Sequence, residues 1–458
     1  MNNVIILMSD EHNPFVSSLY GHSLVKTPNM GRLAAKGTFY RNAYCPSPLC
    51  LPSRSAFVSG RRVHELKAYS NCNVNLPNQF PTYGRLLREQ GVHTVHMGKT
   101  DMFANGEELG FSEIYKAKTR KLPGDVNFNR KPLAIRKGAS SRSMGYGVKE
   151  TAFQDDLSVM DKALDWLAES APAIEQPWSL TINIVNPHFP QWNTQKYWDM
   201  YQEADDLPKY GPECDSGTHP YADDLRKHFE ADQFTEEQVR GLRRGYLGNV
   251  SFVDDQLGRL LDALEASGQA ETTNIIYTSD HGDMLGKFGI WWKCSLYEDS
   301  ARVPCIAAGP DFQSGQIVET PVDLLDVQAS IFYATGASKP AEWPGVPLQQ
   351  IPDDDKSRVV FSEYHGHGTR SGAYMIRKGD WKLIYYMEAP HQLFYLKDDP
   401  DELHNLYVEF GEKARELEAE LYKICDPVEE NRRAHEFQEQ QLQELPLYAQ
   451  VKSSPTSQ

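Results

Sequence analysis

Four short strand-like runs, each ending in charged or imidazole residues, constrain the fold of this chain more than any other feature. Val4-Ile5-Ile6-Leu7-Met8 leads into Ser9-Asp10-Glu11-His12, and Val92 to Met97 leads into Gly98-Lys99-Thr100-Asp101. Trp178 to Val185 leads into Asn186-Pro187-His188-Phe189-Pro190, and Ile275 to Thr278 into Ser279-Asp280-His281-Gly282-Asp283. The first run is unbroken and apolar, which suits a strand buried on both faces of a parallel sheet, and the others are read as strands of the same sheet. In such sheets ligands gather at the carboxyl ends of the strands. The pattern predicts one edge that collects Asp10, Glu11, Lys99, His188, Asp280 and His281. An oxygen-rich set with an imidazole suits a hard divalent cation, Ca²⁺ first, with Mn²⁺ or Mg²⁺ as alternatives.

The rest of the chain supplies the frame. Thr27 as N-cap, Pro28 and Gly37 bound one helix. Thr82 precedes another, and Leu157, Met160, Leu164 and Leu167 mark a third. Leu257, Leu260, Leu261 and Leu264 form a fourth stripe, stopped near Gly268. Val303 to Ala307 is read as one more strand. Residues 103–150 and 195–235 lack clear periodicity, and the first stretch is expected as a long insertion over the active-site face. A proline-rich link precedes a strand at Val359 to Glu363. Ala373 to Arg377 and Trp381 to Tyr386 predict a hairpin across Lys378-Gly379-Asp380. Gln392 to Leu396 predicts a third strand and Glu412 to Ile424 a helix, and the tail beyond Leu447 has the composition of a disordered segment. The expected fold class is α/β, with a large, mixed, mainly parallel sheet sandwiched by helices over residues 1–369. A smaller C-terminal α+β subdomain is expected over 370–458.

Between the first two runs lies Cys45-Pro-Ser-Pro-Leu-Cys50-Leu-Pro52-Ser53-Arg54, followed by Ser59-Gly60-Arg61. Pro52 can open a helix at its first position, where its missing N–H would be unpaired anyway. Residue 50 then faces a helix N-terminus that favours an anion, and Arg54 returns a fork of donors to the same spot. A net charge of −16 argues against nucleic acid as partner. A cationic site inside an acidic protein favours one small bound anion. The seven cysteines (45, 50, 72, 214, 294, 305, 425) are scattered without metal-finger spacing, which fits a reduced cytoplasm. The N-terminus enters a strand at once, with no basic leader and a run too short to span a bilayer. A cytoplasmic protein with no membrane partner is expected.

The Cys50-Leu-Pro52-Ser53-Arg54 segment resembles the signature of the type I, formylglycine-dependent sulfatases of the alkaline phosphatase superfamily. Thr278-Ser279-Asp280-His281-Gly282-Asp283 and Lys293 followed by Tyr297-Glu298 resemble the same family, and the order of segments follows it along nearly the whole chain. The resemblance implies that Cys50 is oxidised to formylglycine by a formylglycine-generating enzyme, its hydrated aldehyde being the nucleophile. Arg54 and Lys99 would orient that hydrate, Lys293 would hold sulfate oxygens, and His188 would protonate the leaving group. Asp10, Glu11 (usually a second Asp), Asp280 and His281 would bind the metal. The family usually has His where Asp101 stands. Some branches, such as the arylsulfatase K-like uronate 2-sulfatases, use Asp there, whereas choline sulfatases and phosphonate monoester hydrolases carry His. Ser362-Glu363-Tyr364-His365-Gly366 also resembles the former branch.

The implied activity is hydrolysis of a small sulfated substrate (a sugar, aryl or choline sulfate), by a chain compatible with a homo-oligomer. A phosphonate monoester hydrolase or phosphodiesterase on the same scaffold is the alternative, followed by a non-catalytic anion-binding relative. Specificity is expected from the insertion after Asp101, from residues 191–232, and from His365, His367 and Arg370.

Overall fold

A computed structural model describes residues 1–71, 80–101, 109–118, 130–136 and 138–452. Cys72 and much of the segment after Asp101 lie outside them. Eight strands make the main sheet: β1 (Asn3–Asp10), β2 (Gly37–Tyr40), β3 (His93–Lys99), β4 (Glu113–Lys118), β5 (Trp178–Pro187), β6 (Thr273–Ser279), β7 (Cys305–Ala308) and β8 (Gln316–Val318). Their spatial order is β8-β2-β7-β6-β1-β5-β3-β4. β1 lies at the centre, parallel to both β5 and β6. β7 alone runs against its neighbours.

The period of two in β1 explains the sandwich. Val4, Ile6 and Met8 face a core that includes Phe57, Leu87, Val327 and Ile331. Ile5 and Leu7 face the opposite core with Leu33, Met160, Trp166 and Leu260. All five are 0–1% exposed, so a strand with no polar face needs helices on both sides. These helices are α1 (Pro28–Lys36), α4 (Gln154–Glu169) and α6 (Glu236–Ala266) on one face. On the other are α2 (Cys50–Ser59), α3 (Tyr83–Glu89) and α7 (Leu324–Thr335). Among the described residues no helix is long and apolar enough to cross a membrane.

Several local expectations change. Thr27 does sit at the N-cap of α1, but its hydroxyl accepts from the Ser18 N–H (2.8 Å); the Asp254 carboxylate caps the first turn instead, accepting from the Asn29 and Met30 N–H groups (2.9 and 2.8 Å). The signature helix starts at Cys50, two residues before Pro52. The Val303–Ala307 run is broken at Pro304: Arg302–Val303 pairs with Ala43–Tyr44, and Cys305–Ala308 joins the main sheet antiparallel. Part of the periodless 103–150 stretch is the edge strand β4. Within 195–235 lies a helix, α5 (Pro220–Phe229), and the Leu257 stripe belongs to a helix that begins at Glu236 behind a Thr235/Gln238 capping box.

The C-terminal sheet contains β9 (Val359–Tyr364), β10 (Ala373–Lys378), β11 (Trp381–Tyr386) and β12 (Gln392–Tyr395), all antiparallel. The expected boundary at residue 370 therefore falls between its first and second strands. Helix α8 (Gly411–Ile424) packs on this sheet. Of the tail expected to be disordered, residues 448–452 continue helix α9 (Pro427–Lys452), and residues 453–458 lie outside the described residues.

A buried charge cluster joins the small sheet to the Ala43–Tyr44 and Arg302–Val303 pair and to the short helix Glu298–Ala301. Lys382 on β11 lies 2.9 Å from Glu298 and 2.7 Å from Glu402. Glu298 also accepts from the Tyr44 hydroxyl (2.9 Å) and the Arg302 guanidinium (3.2 Å). Burial opposes ionisation of Glu298, but Lys382, Arg302 and Arg377 outweigh it and pull its pKa down to about 2. Removing one partner of such a cluster strands the others. Lys382→Met is expected to lower unfolding stability by about 3–5 kcal/mol in chemical denaturation. Because the Glu298 pKa is depressed from 4.5, its stabilising contribution is full above that pH and is lost as the pH falls towards 2, so the difference between the two proteins should shrink over that window.

Candidate active site

Strand ends and one helix start deliver the side chains to one edge. β1 ends in Asp10, and Glu11 follows in a left-handed conformation (φ 66°). β3 ends in Lys99 after Gly98, whose φ is 93° and whose missing Cβ would stand 2.0 Å from the Asn183 carbonyl oxygen. Only glycine allows β3 and β5 this approach. β5 ends just before His188, and β6 just before Asp280 and His281. Cys50 stands at the first position of α2.

Arg54 ties these pieces together. Its Nε donates to Asp280 (2.8 Å), Nη2 donates to Asp10 (3.0 Å), and Nη1 donates to the Lys99 carbonyl (3.3 Å). The Ser53 hydroxyl donates to the Asp280 carbonyl (2.6 Å). Lys99 donates to Asp10, while Lys293 lies 3.0 Å from Glu11 and 3.1 Å from the Cys50 sulfur. His281 donates through Nδ1 to the Gly282 carbonyl (3.0 Å), which turns Nε2 towards the same sulfur (3.3 Å). Asp10, Asp280, His281 and Cys50 thus form one cluster, and Asp10, Glu11 and His188 a second that overlaps it. His188 Nε2 lies 3.2 Å from Glu11, and its Nδ1 donates to the Phe189 carbonyl (2.6 Å).

The electrostatics are those of charges confined away from water. Burial pushes the Cys50 thiol up, but Lys293 and Lys99 prevail and bring it down to about 6. Burial also opposes ionisation of Asp10, yet Lys99, His188 and Arg54 hold it well below the ordinary carboxylate range. Glu11 moves the other way, raised by burial beyond what Lys293 can offset. His281 is pushed up to about 9, burial being outweighed by Asp280. Burial and Lys293 hold His188 well below the ordinary histidine value. Oε1 of Glu11 is buried without a hydrogen-bond partner. An orphaned carboxylate oxygen beside two further carboxylates and an imidazole fits a hard cation, which would compete with the His281 proton.

Above the sulfur opens a cavity of about 240 Å³, lined among others by Lys99, His188, Lys293 and His367. Of the three residues expected to bind substrate, His367 lines it. His365 is turned away and donates to Glu363 (2.8 Å), which also accepts from His64. Arg370 is drawn off by Asp224, with Nε and Nη2 each 2.8 Å from the carboxylate. Asp101 is buried 3.8 Å from the Lys99 ammonium and is not among the lining residues. The sequence reading missed Asn71, which accepts from the Leu51 N–H (3.0 Å) and so caps α2 beside Cys50. It also missed Arg136 and Arg142 on the cavity wall. The signal available was the basic, Gly- and Ser-rich character of their segment, which marks a surface but not a position.

The chain matches a family model described as Sulfatase over residues 2–337, and one described as N-sulphoglucosamine sulphohydrolase, C-terminal, over residues 286–430. A choline-sulfatase of Rhizobium meliloti (strain 1021) is 31% identical over 426 residues, covering 88% of this chain and 82% of the relative. Arylsulfatase K of Danio rerio is 28% identical over 469 residues, covering 96% and 87%. The solved structure of BT4656 in complex with its substrate D-glucosamine-2-N,6-O-disulfate superposes with a TM-score of 0.74 at 21% identity, covering 93% of this chain and 99% of that one. A phosphonate monoester hydrolase from Silicibacter pomeroyi gives the same TM-score at 21% identity, covering 93% and 94%. The two structural likenesses establish the shared architecture, as expected from the segment order. A family model spanning most of the chain and a relative matched along most of both sequences lead to one conclusion: this protein is a member of the sulfatase family.

Proposed function

We propose that this enzyme hydrolyses the sulfate monoester of a small sugar, aryl or choline-like alcohol at Cys50, after a formylglycine-generating enzyme has converted that residue to formylglycine. The observation that carries the reading is the convergence of Lys293, His281 and Asp10 on the Cys50 sulfur at a helix start, beside the unpartnered Glu11 oxygen. Asp10, Glu11, Asp280 and His281 would hold one divalent cation, Ca²⁺ by preference for its oxygen donors. Such an ion supplies positive charge that polarises a sulfate oxygen and offsets charge in the transition state. The hydrated aldehyde would supply one hydroxyl for attack and a second for expelling sulfate, which a thiol lacks.

The chain's own groups divide the work. Arg54 aims the Asp10 and Asp280 carboxylates and favours their ionised forms against the effect of burial, and Asn71 holds the first turn of α2 in place. Lys99 and Lys293 meet the non-bridging sulfate oxygens. His188, fixed at Nδ1 by the Phe189 carbonyl, gives a proton from Nε2 to the departing oxygen, the anionic ester raising its proton affinity. Asp101, buried beside Lys99, accepts a proton when the hydrate later collapses.

Variants at four positions test this. Peptide mass analysis of protein from a host with the maturing enzyme should show residue 50 converted, and Cys50→Ser should lose multiple turnover on aryl sulfates while phosphonate monoesters stay poor substrates of the native enzyme; full turnover by the serine variant would refute the role. Asp280→Asn should weaken metal binding in calorimetry, and chelation should abolish activity that added Ca²⁺ restores. His188→Ala should cost about 10²–10⁴-fold on unactivated sugar sulfates and far less on activated aryl sulfates. Asp101→Asn should instead give a burst of alcohol release followed by a slow steady state, read by stopped-flow.

A further inference from the structure

One of the two overlapping clusters, Asp10, Cys50, Asp280 and His281, contains the sulfur and leaves out Glu11. One atom from each of its four residues lies within 4.8 Å of the other three. His281 Nε2 stands 3.3 Å from the Cys50 sulfur, 3.9 Å from Asp10 Oδ1 and 3.7 Å from Asp280 Oδ1. The sulfur stands 3.9 Å from Asp10 Oδ1. A tetrahedral zinc site with one sulfur, one nitrogen and two oxygen ligands places its donors roughly 3.4–3.6 Å apart. These four separations fall within about 0.3 Å of that range.

The neighbours leave the right atoms facing inward. Arg54 holds the other oxygen of each acid, with Nη2 on Asp10 Oδ2 and Nε on Asp280 Oδ2, and Lys99 also takes Asp10 Oδ2. Asp280 Oδ1 accepts one bond, from the Glu11 N–H (3.1 Å), and a carboxylate oxygen has a second lone pair to offer. His281 is bound through Nδ1 to the Gly282 carbonyl, the kind of second contact that orients a ligating imidazole by Nε2. All four residues are 0–1% exposed. A thiolate is a soft donor that suits zinc, whereas Ca²⁺ takes oxygen ligands. Lys293, 3.1 Å from the sulfur, would donate to the bound thiolate and offset the negative charge left on the set.

We propose that the chain in which Cys50 has not been converted binds one Zn²⁺ through the Cys50 sulfur, His281 Nε2 and one carboxylate oxygen each of Asp10 and Asp280. The thiol proton leaves as the Zn–S bond forms, and nothing is oxidised or reduced. This site shares three residues with the cation site of the converted enzyme but uses sulfur in place of Glu11. It ceases to exist when residue 50 loses its sulfur. Zinc thus caps the thiol of any chain that folds before conversion and holds it in an inactive form. The inference concerns the unconverted chain and stands apart from turnover.

The protein is made in a host without the formylglycine-generating enzyme, residue 50 is verified as cysteine by peptide mass, and bound metal is stripped with a chelator. Cobalt(II) serves as the spectroscopic probe for zinc, because a thiolate ligand gives it a charge-transfer band in the near ultraviolet. One equivalent of Co²⁺ should produce that band together with the intense visible bands of tetrahedral cobalt. One equivalent of Zn²⁺ should remove both sets, and an equal amount of Ca²⁺ should leave them. Cys50→Ser should lose the near-ultraviolet band. His281→Asn, which keeps the thiol, should weaken Zn²⁺ binding in calorimetry and guards against a folding defect in the serine variant. Zn²⁺ should also protect Cys50 from iodoacetamide, read by peptide mass, without protecting the half-buried Cys214 and Cys425. No charge-transfer band in the unconverted native chain, a band that survives in Cys50→Ser, or displacement of cobalt by equal Ca²⁺ would overturn the site. A chain that shows the thiolate band but keeps its sulfur even in a host with the maturing enzyme would overturn the formylglycine reading alone. A converted enzyme that turns over aryl sulfates while its unconverted form shows no such band would overturn the zinc site alone.

Discussion

The fork of Arg54 between Asp10 and Asp280 is the contact on which the rest of the site depends. Two buried carboxylates at the ends of adjacent parallel strands would repel each other in a medium that screens poorly. One guanidinium hydrogen-bonded to both offsets that repulsion and fixes their spacing. Because Arg54 is one turn beyond Cys50, the same contact fixes the start of α2 relative to the sheet edge. The nucleophile position, the acids and the lysines then fall into register as a unit. Breaking the fork would leave uncompensated buried charge and an unanchored helix together.

What could be read from the sequence follows from burial. β1, β5 and β6 are covered on both faces, so their composition announces them, and their ends locate Asp10, His188, Asp280 and His281. β4 is an edge strand of mixed composition, and nothing in Glu113–Lys118 distinguishes it from a loop. Strand direction is equally silent: Cys305–Ala308 is as apolar as its parallel neighbours, and only the pairing with β2 and β6 shows it reversed. Side chains with strong partners far along the chain were misplaced for a different reason. His365 and Arg370 looked available because Glu363 and Asp224 compete for them through tertiary contacts that local pattern does not encode. Arg136 and Arg142 were hidden because an arginine in a basic loop has no signature of the wall it faces.

The C-terminal sheet contributes more than a cap. Its first strand leads into the loop that brings His367 to the cavity, and β11 carries Lys382 into the cluster with Glu298. Glu298 begins the short helix that follows the Lys293 loop, in which Trp292 and Cys294 both take left-handed backbone conformations. A segment held in two sparsely populated conformations needs firm anchors on either side. The buried charge cluster is one of them, so distant residues of the small sheet help to hold Lys293 against the Cys50 sulfur.

Cys50 is 1% exposed, and the groups that enclose it arrive late in the chain, Asp280, His281 and Lys293 among them. The pocket around the sulfur therefore cannot close until some 230 further residues have been made, the interval from position 50 to position 280. At about 5–20 residues per second this leaves roughly 10–50 s of synthesis. During that time the cysteine is on an open segment, and afterwards it lies at the floor of a cavity of about 240 Å³, which admits a small ester but not the active site of another enzyme. Any enzyme that modifies the thiol must work inside this window, so the order of translation itself acts as a clock for the maturation of the site.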